Sequence, residues 1–167
     1  MQWELITNII LAISIITLAI FAILGLYQWI TRKSIKKVDI QLLWMLLPLI
    51  LMVITYFVFD KLIIVATRPN GSGEPSFPST HVMVVTTIFF ITTIILPKYI
   101  KSNALRIALE FMMIIMISLT CVGRIYSNMH TPVDVIAALA FAFVFSEIYF
   151  VAIRQSKKQR KTKKLEA

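Results

Sequence analysis

The residues best suited to chemistry in this chain of 167 residues are its two histidines, His81 and His130. Asp134 follows His130 four positions later, in the segment GRIYSNMHTPVDV. A carboxylate at this spacing could hold one ring nitrogen and stabilise the imidazolium, which leaves the other nitrogen free to attack. The same segment fits a helix start, with Thr131 and Asp134 as a capping box and Pro132 at the first position. Both arrangements can hold together.

His81 lies in the segment FPSTHVMVV, which has the features of a helix N-terminus. Ser79 is a good N-cap residue, and this places Thr80 and His81 in the first helical turn. The free N–H groups of a first turn and the positive end of the helix dipole together form an anion site. A second interpretation is that Ser79 only caps the helix and that His81 is a residue at its boundary.

Three cationic residues accompany the histidines: Lys61, Arg68 and Arg124. A helix through the stretch DKLIIVATRP would place Lys61 and Arg68 on one face, about 20° and ~10 Å apart. We expect Pro69 to end that helix after Arg68. Taken singly, Lys61 could extend its charge to a polar interface, and Arg68 could cap the helix C-terminus. Arg124 supplies a third positive charge on the same segment as His130.

Three cations, a helix N-terminus and two histidines from three separate segments together predict a pocket for a tetrahedral dianion. Arginine binds phosphate oxygens with two parallel hydrogen bonds, and lysine acts as a point charge. A Mg²⁺ or Mn²⁺ site needs several converging carboxylates, whereas the acidic residues expected near this pocket are scattered: Glu4, Asp60, Glu74 and Asp134. Two histidines and the single Cys121 do not make a zinc site either. We therefore predict a phosphate site that uses no metal and no cofactor.

The elements that must position these residues are membrane-spanning helices. Hydrophobic residues make up 59% of the chain and charged residues 15%, against about 25% charged in typical soluble domains. A bilayer leaves no partner for an unpaired backbone group, so apolar runs of this length are expected to be helical. We predict an all-α, polytopic bundle over residues 1–153 and a basic tail over 154–167. The five predicted spans cover residues 5–30, 40–67, 79–96, 104–122 and 133–153.

The basic residues predict the orientation of the bundle. Fourteen of the 17 Lys and Arg residues fall in the first loop, the third loop and the tail, which five spans place on one side. By the positive-inside rule that side is the cytoplasm, so the N-terminus faces out and the C-terminus is cytoplasmic. The net charge of +9 therefore indicates anionic lipid headgroups rather than nucleic acid as the partner of the tail. Both histidines then lie on the extracytoplasmic face of the cell membrane.

Three motifs of the chain together resemble the three-part signature of the type-2 phosphatidic-acid phosphatase superfamily. They span residues 61–134 in the family's order and spacing. Two positions depart from the pattern: Thr80 stands where the family commonly has glycine, and Gly123 stands where it commonly has serine. Five spans are also one fewer than in many lipid phosphatases of this family. The motifs are Lys61-x6-Arg68-Pro69, Pro78-Ser79-Thr80-His81 and Arg124-x5-His130-x3-Asp134.

The resemblance implies a role for each residue of the motifs. His130 would be the nucleophile that forms a phosphohistidine, Asp134 would orient it, and His81 would protonate the leaving oxygen. The phosphate would be held by the remaining motif residues: Lys61, Arg68, Ser79, Thr80 and Arg124. These are the roles that the chemistry of the side chains also suggests.

We therefore expect a metal-independent membrane phosphatase whose substrate is a phosphorylated lipid. The resemblance and the small size of the chain favour undecaprenyl diphosphate, with phosphatidic acid and phosphatidylglycerol phosphate as alternatives. A function of another class is a non-catalytic protein that binds or transports anionic lipid. Transport requires ionisable residues through the depth of the membrane, for which Glu110 and Glu147 are the candidates. A homologue that binds lipid phosphate without turnover is the third possibility.

Overall fold

The computed structural model describes residues 2–33 and 38–165, with residues 161 and 163–165 described as helical backbone only. Lys36 and Lys37, which belong to the predicted first basic loop, lie outside the described residues. The helices are α1 (Gln2–Arg32), α2 (Ile40–Trp44), α3 (Leu46–Phe57), α4 (Thr80–Tyr99), α5 (Asn103–Tyr126) and α6 (Pro132–Leu165). A π-helical turn, Val58–Leu62, continues α3. Within these described residues the fold is all-helical.

Five of the described helical segments are long and apolar enough to cross a membrane, which confirms the predicted five-span, all-α bundle. The second span, Ile40–Leu62, combines α2, α3 and the π-helical turn. The fifth helix continues without a break through most of the basic tail to Leu165. Successive spans alternate in direction, so the start of α1, the end of the second span, the start of α4, the end of α5 and the start of α6 share one end of the bundle.

Helix α4 is the centre of the bundle. In its most apolar stretch 61% of the residues are buried, against 11% in α1 and in α5. Its sequence is apolar around the whole helix, as expected when neighbours cover every face, and α1, α5 and α6 all pack against it. The hydroxyl groups of Thr87 and Thr92 donate to carbonyls one turn earlier, so these polar residues need no partner outside the helix. A rigid central helix therefore carries His81 at its first turn.

The second span ends earlier than predicted. The apolar run predicts a helix through Thr67, but the helix ends at Leu62, and Ile63 is already extended. The chain then doubles back: the amide of Arg68 donates to the Glu74 carbonyl (2.9 Å), and Thr67 pairs with Pro75 in an isolated antiparallel bridge. The predicted helical face shared by Lys61 and Arg68 is therefore wrong, as is the role of Pro69 in ending the helix.

The physical reason for this early end lies in the residues between the span and the motif. The segment IIVAT is rich in β-branched residues, which favour extended backbone when a pairing partner is available. The partner is provided by a turn in which Gly71 and Gly73 adopt φ values of +79° and +74°, a region that glycine enters without strain. The extended pair places Arg68 over the end of the bundle instead of on the second span.

Candidate active site

A cavity of about 360 Å³ lies at the end of the bundle where α4 and α6 begin and α5 ends. Five of the eight predicted site residues line it: Arg68, Thr80, His81, Arg124 and His130. Much of the remaining wall is apolar and comes from α1, the second span and α4: Leu11, Ile15, Tyr56, Phe59, Met83 and Val84. The fold thus gathers both histidines and two arginines, from four separate parts of the chain, around one hollow.

His130 lies between α5 and α6 and is 5% exposed. Its Nδ1 is 2.8 Å from the carbonyl oxygen of Ser76. A carbonyl can only accept, so Nδ1 carries the proton, and the Nε2 of a neutral ring holds a lone pair. Nη2 of Arg124 lies 3.2 Å from Nε2 and donates to it. The imidazole is therefore fixed in the tautomer that a nucleophile at Nε2 requires, next to a guanidinium that can bind phosphate.

Asp134 is arranged differently from the sequence-based interpretation. Its Oδ2 is 4.0 Å from His130 Nδ1, which is beyond hydrogen-bond distance. The same oxygen accepts the backbone N–H of Thr131 (2.8 Å), while the Thr131 hydroxyl accepts the N–H of Asp134 (3.3 Å). The capping box is thus confirmed, and the Ser76 carbonyl takes the place beside Nδ1 that was predicted for Asp134. Asp134 remains close enough for its charge to act on an imidazolium.

The surroundings of His130 disfavour its protonated form. Burial lowers the pKa of His130 to about 4, and the positive charge of Arg124 acts in the same direction. The Ser76 carbonyl and the Asp134 carboxylate oppose this change in the pKa without reversing it. His130 is therefore a neutral imidazole at neutral pH, which is the state in which Nε2 can attack.

Several polar side-chain atoms at this end are buried without a hydrogen-bond partner. The described part of the chain contains five such atoms, and four of them belong to this end: Arg68 Nε, Ser76 Oγ, Ser79 Oγ and Arg124 Nε. An unsatisfied buried polar atom typically destabilises the folded state by about 1–3 kcal/mol. Groups of this kind are rare in native proteins, and a cluster of them is typical of a site that binds a polar ligand.

Ser79 and Thr80 bring the start of α4 to the cavity. Ser79 occupies the predicted N-cap position and is fully buried, but its side chain makes no capping hydrogen bond. Its backbone N–H donates to the carbonyl of Asp134 (3.2 Å), which ties the start of α4 to α6. Thr80 lines the cavity at the first helical position. The first turn of α4 therefore borders the cavity through Thr80 and His81, whereas Ser79 is not among the lining residues.

Arg68 and Lys61 differ in their relation to the cavity. Arg68 lines it, although Nη1 also forms an ion pair with Glu74 Oε2 (2.7 Å). Lys61 is not among the lining residues: its side chain is 58% exposed and its Nζ is 2.7 Å from Asp60 Oδ2. Asp60 itself lines the cavity, so Lys61 sits one side chain away from it. The structure thus brings Arg68 into the site and leaves Lys61 at its margin.

Two contacts of the histidines have no counterpart in the motifs. The Ser76 carbonyl is a backbone group, so no residue type in the sequence could have identified it. His81 Nε2 is 3.1 Å from the Oδ1 of Asn8, a residue of α1 far from the motifs. An amide side chain in an otherwise apolar span is a signal that could have identified Asn8. As regards metal, the described residues contain no group of three or more His, Cys, Asp and Glu residues that could hold an ion.

The fold is shared with a protein of known structure. The chain is similar to a transmembrane PAP2 type phosphatidylglycerolphosphate phosphatase from Bacillus subtilis, with a TM-score of 0.68 and 19% sequence identity. The alignment covers 94% of this chain and 77% of that one. At this identity the likeness shows that the two chains share a fold. No curated protein sequence matches the chain.

The family is shown by the sequence itself. The family model of the PAP2 superfamily matches residues 56–158, which is more than half of the chain. The matched segment contains all eight of the predicted site residues. The geometry of the cavity, the shared fold and this match agree with one another. The chain belongs to the PAP2 superfamily of membrane phosphatases.

Proposed function

We propose that this protein hydrolyses a lipid phosphate or diphosphate through a phosphohistidine on His130, without a metal ion. The observation that supports this most directly is the state of His130. Its Nδ1 donates to the Ser76 carbonyl, so the neutral ring keeps its lone pair at Nε2, which lies 3.2 Å from Nη2 of Arg124. A phosphoryl group bound by Arg124 would replace that contact and bring phosphorus to Nε2. A site that only bound anions would gain nothing from a neutral, oriented imidazole.

In the first step the phosphoryl oxygens bind to Arg68, Arg124 and the first turn of α4. Nε2 of His130 attacks phosphorus, the N–P bond forms, and the P–O bond to the lipid breaks. His81 transfers a proton to the departing oxygen, which leaves as an alcohol or, from a diphosphate, as a phosphate monoester. The phosphorylated ring of His130 is cationic, and the carboxylate of Asp134 at 4.0 Å stabilises that charge.

In the second step water replaces the histidine. His81, now neutral, accepts a proton from water, and the oxygen of that water attacks phosphorus. The N–P bond breaks, inorganic phosphate leaves and His130 returns to its neutral form. Arg68 and Arg124 bind the same phosphoryl oxygens in both steps, so the charge that a metal ion would supply comes from the guanidinium groups. Lys61 is proposed to add its charge at the margin of the site.

The apolar wall of the cavity supports a lipid substrate. Leu11 and Ile15 of α1 line the same hollow as Tyr56 and Phe59 of the second span, so a headgroup held by the arginines would lie beside apolar side chains. Undecaprenyl diphosphate is our first candidate. Phosphatidylglycerol phosphate is the second, because the structural relative from Bacillus subtilis is a phosphatidylglycerolphosphate phosphatase. Phosphatidic acid is the third candidate substrate.

We place the site on the extracytoplasmic face of the cell membrane. Basic residues of the described chain are concentrated at the other end of the bundle: Arg32, Lys33, Lys98, Lys101, Arg106, Arg154, Lys157, Lys158 and Arg160. This distribution supports a cytoplasmic location for that end by the positive-inside rule. The tail is proposed to lie against anionic headgroups there.

The test is phosphate release by the purified protein in detergent, with EDTA present, from each of the three lipids. We expect turnover that survives chelation and is lost by at least about 10³-fold in His130→Ala, as for the removal of other catalytic nucleophiles. Ser118→Ala is the control, because Ser118 is exposed on α5 and its hydroxyl bonds only to its own helix. A trapped, acid-labile and base-stable phosphoenzyme should form in the wild type and in Ser118→Ala but not in His130→Ala.

Three other results would contradict parts of the proposal. Activity that required a divalent metal would contradict the metal-free mechanism. Lipid binding without phosphate release would indicate the non-catalytic function. Undiminished turnover in His130→Ala would show that another residue is the nucleophile.

A further inference from the structure

We propose that Asn8, on α1, is a positioning residue for His81 and thereby sets the efficiency of proton transfer to the leaving group. This inference rests on the proposed function, since it assigns a partner to the proposed acid. Asn8 lies outside the segment that the family model matches, which begins at residue 56. The first span therefore takes part in the site instead of serving only as a membrane anchor.

The contact between Asn8 and His81 determines which ring nitrogen can act. Asn8 Oδ1 is 3.1 Å from His81 Nε2, and an amide oxygen can only accept, so Nε2 carries a proton. Nδ1 is then the atom left to donate to the leaving oxygen. Because Nε2 is engaged by the Asn8 oxygen, the orientation of the His81 ring is tied to α1.

The side of α1 that carries Asn8 is the side that faces the cavity. Leu11 and Ile15 follow Asn8 by three and seven positions, a spacing that puts all three residues on one face of a helix. Leu11 and Ile15 both line the cavity. Asn8 thus lies on the same helix face as Leu11 and Ile15, which form part of the apolar cavity wall proposed to contact the lipid.

Gly123 explains how α1 comes close enough for this contact. A Cβ atom at Gly123 would lie 2.5 Å from Thr7 Cγ2 and 3.6 Å from the Trp3 carbonyl oxygen, so α1 occupies the space that a side chain would fill. Thr7 is fully buried at this contact, and the ring of Trp3 stacks on Tyr126 with centroids 5.9 Å apart. At this position, where the resemblance leads one to expect serine, glycine lets α1 pack directly on α5 and hold Asn8 beside His81.

The proposal predicts an effect that depends on the leaving group. An alkyl or isoprenyl phosphate needs its leaving oxygen protonated, whereas p-nitrophenolate leaves without a proton. Asn8→Leu, which keeps the volume and removes the acceptor, should lower kcat on the lipid phosphate by about 10- to 100-fold, a part of the 10²–10⁴ that general acids supply. On p-nitrophenyl phosphate the loss should stay below about threefold. Asn8→Asp retains an acceptor oxygen and should recover most of the lipid activity.

The controls separate this inference from the proposed function and from simple loss of structure. Thr17→Ala changes a half-buried residue of α1 whose hydroxyl bonds only to its own helix and which does not line the cavity, and should leave both activities unchanged. His81→Ala should show the same dependence on the leaving group as Asn8→Leu, more strongly. If it does and Asn8→Leu does not, Asn8 has no positioning role. If Asn8→Leu loses both activities equally, its role is structural and the inference is overturned. If His81→Ala has no such dependence, the assignment of the acid in the proposed function is wrong.

Discussion

Polar side chains gather at both ends of the helical bundle, but the two groups differ in how well their members satisfy one another. At the end opposite His130, the buried carboxylate of Asp39 contacts Lys98 and accepts hydrogen bonds from the Tyr99 hydroxyl (2.8 Å) and the Gln41 amide (3.2 Å). The Asp39 amide in turn donates to the Gln28 side chain (2.9 Å). Burial alone would raise the pKa of Asp39, but these partners together lower it, so the carboxylate is ionised and fully paired.

The His130 end has the opposite character. Arg68, Ser79 and Arg124 each keep a buried polar atom for which the described chain offers no partner. Two guanidinium groups and two imidazoles also lie around one cavity, where burial and the charge of Arg124 keep His130 neutral by lowering its pKa. The polar groups of the first cluster satisfy one another, whereas the second keeps donors that the proposed function assigns to an anionic substrate. The same residue types thus indicate a structural role where their hydrogen bonds close, and they suggest ligand binding where they do not.

The largest expected difference between the two ends is in activity. Arg124→Met should lower kcat/KM by about 10²–10³, the usual effect of removing one donor to a developing negative charge. The melting temperature should not fall, because the substitution removes a buried and partly unpaired charge. Phosphate release and thermal unfolding in detergent measure the two quantities. Arg106→Met is the matched control, since Arg106 pairs with Glu110 at the far end of α5 (3.8 Å). An equal loss of kcat/KM in Arg124→Met and Arg106→Met would show that the two ends of the bundle do not differ in their role in activity.

The second prediction concerns stability at the Asp39 end. Asp39→Ala removes the N-cap of α2 and leaves the Tyr99 hydroxyl without its acceptor. The free energy of unfolding should fall by about 1–3 kcal/mol, the sum expected for a cap and a buried hydrogen bond. Activity per folded molecule should stay unchanged, because no residue of this cluster lines the cavity. A drop in kcat without a lower melting temperature would contradict this division of roles.

The third prediction follows from the pKa of His130, which is about 4 in the native protein and about 6.5 in the unfolded chain. Between these values the unfolded state binds the proton more tightly, so the contribution of His130 to stability is complete above pH 6.5 and is lost as the pH falls toward 4. The nucleophile stays neutral over the same range. After correction for the titration of the substrate, the acid limb of kcat/KM should lie near pH 4. A limb near pH 6.5 would show that the native surroundings do not lower this pKa.

The smallest expected effect is at Glu74, whose Oε2 lies 2.7 Å from Arg68 Nη1 and would compete with a bound phosphate for it. Glu74 is exposed, so the pair should be worth no more than about 1 kcal/mol. Glu74→Gln should therefore lower KM about two- to fivefold with little change in kcat, as steady-state kinetics can show. Glu110→Gln, in the corresponding pair with Arg106, is the control and should leave KM unchanged. A higher KM in Glu74→Gln would mean that the pair holds Arg68 in place instead of competing for it.

Much of the fold could be read from the sequence because a membrane span is a local property. Each span must be apolar over about 20 residues whatever it packs against. The number of spans and most of their ends can therefore be predicted from the local composition. The two glutamates that were candidates for a transport path, Glu110 and Glu147, differ in whether the sequence predicts their surroundings. Glu110 pairs with Arg106 one turn away, a contact that the spacing alone predicts, whereas Glu147 lies on an exposed face of α6 beside Trp44.

The sequence-based prediction was wrong where the tendencies to form a helix and an extended strand were similar. Residues 63–67 are mostly apolar and mostly β-branched, so they fit the end of a span as well as an extended strand. The extended conformation is stabilised by pairing with Pro75 and Ser76 across a glycine turn. Such pairing between separate segments cannot be predicted from the composition of one of them. This pairing moved Arg68 off the helix and left Lys61 with Asp60. It also brought the Ser76 carbonyl to His130 Nδ1, in the place expected for Asp134.

The sequence by itself determined the five spans, the family and the residue types that can hold and attack a phosphate. Hydrophobicity and motif spacing are properties of short segments, so they do not depend on how the helices pack. The groups that touch the histidines follow instead from how distant parts of the chain pack together. Asn8 meets His81, and a backbone carbonyl meets His130, through contacts between residues 73 and 54 positions apart. Such contacts depend on the close approach of α1 to α5 at Gly123 and on a loop that doubles back, and neither is encoded in any one segment.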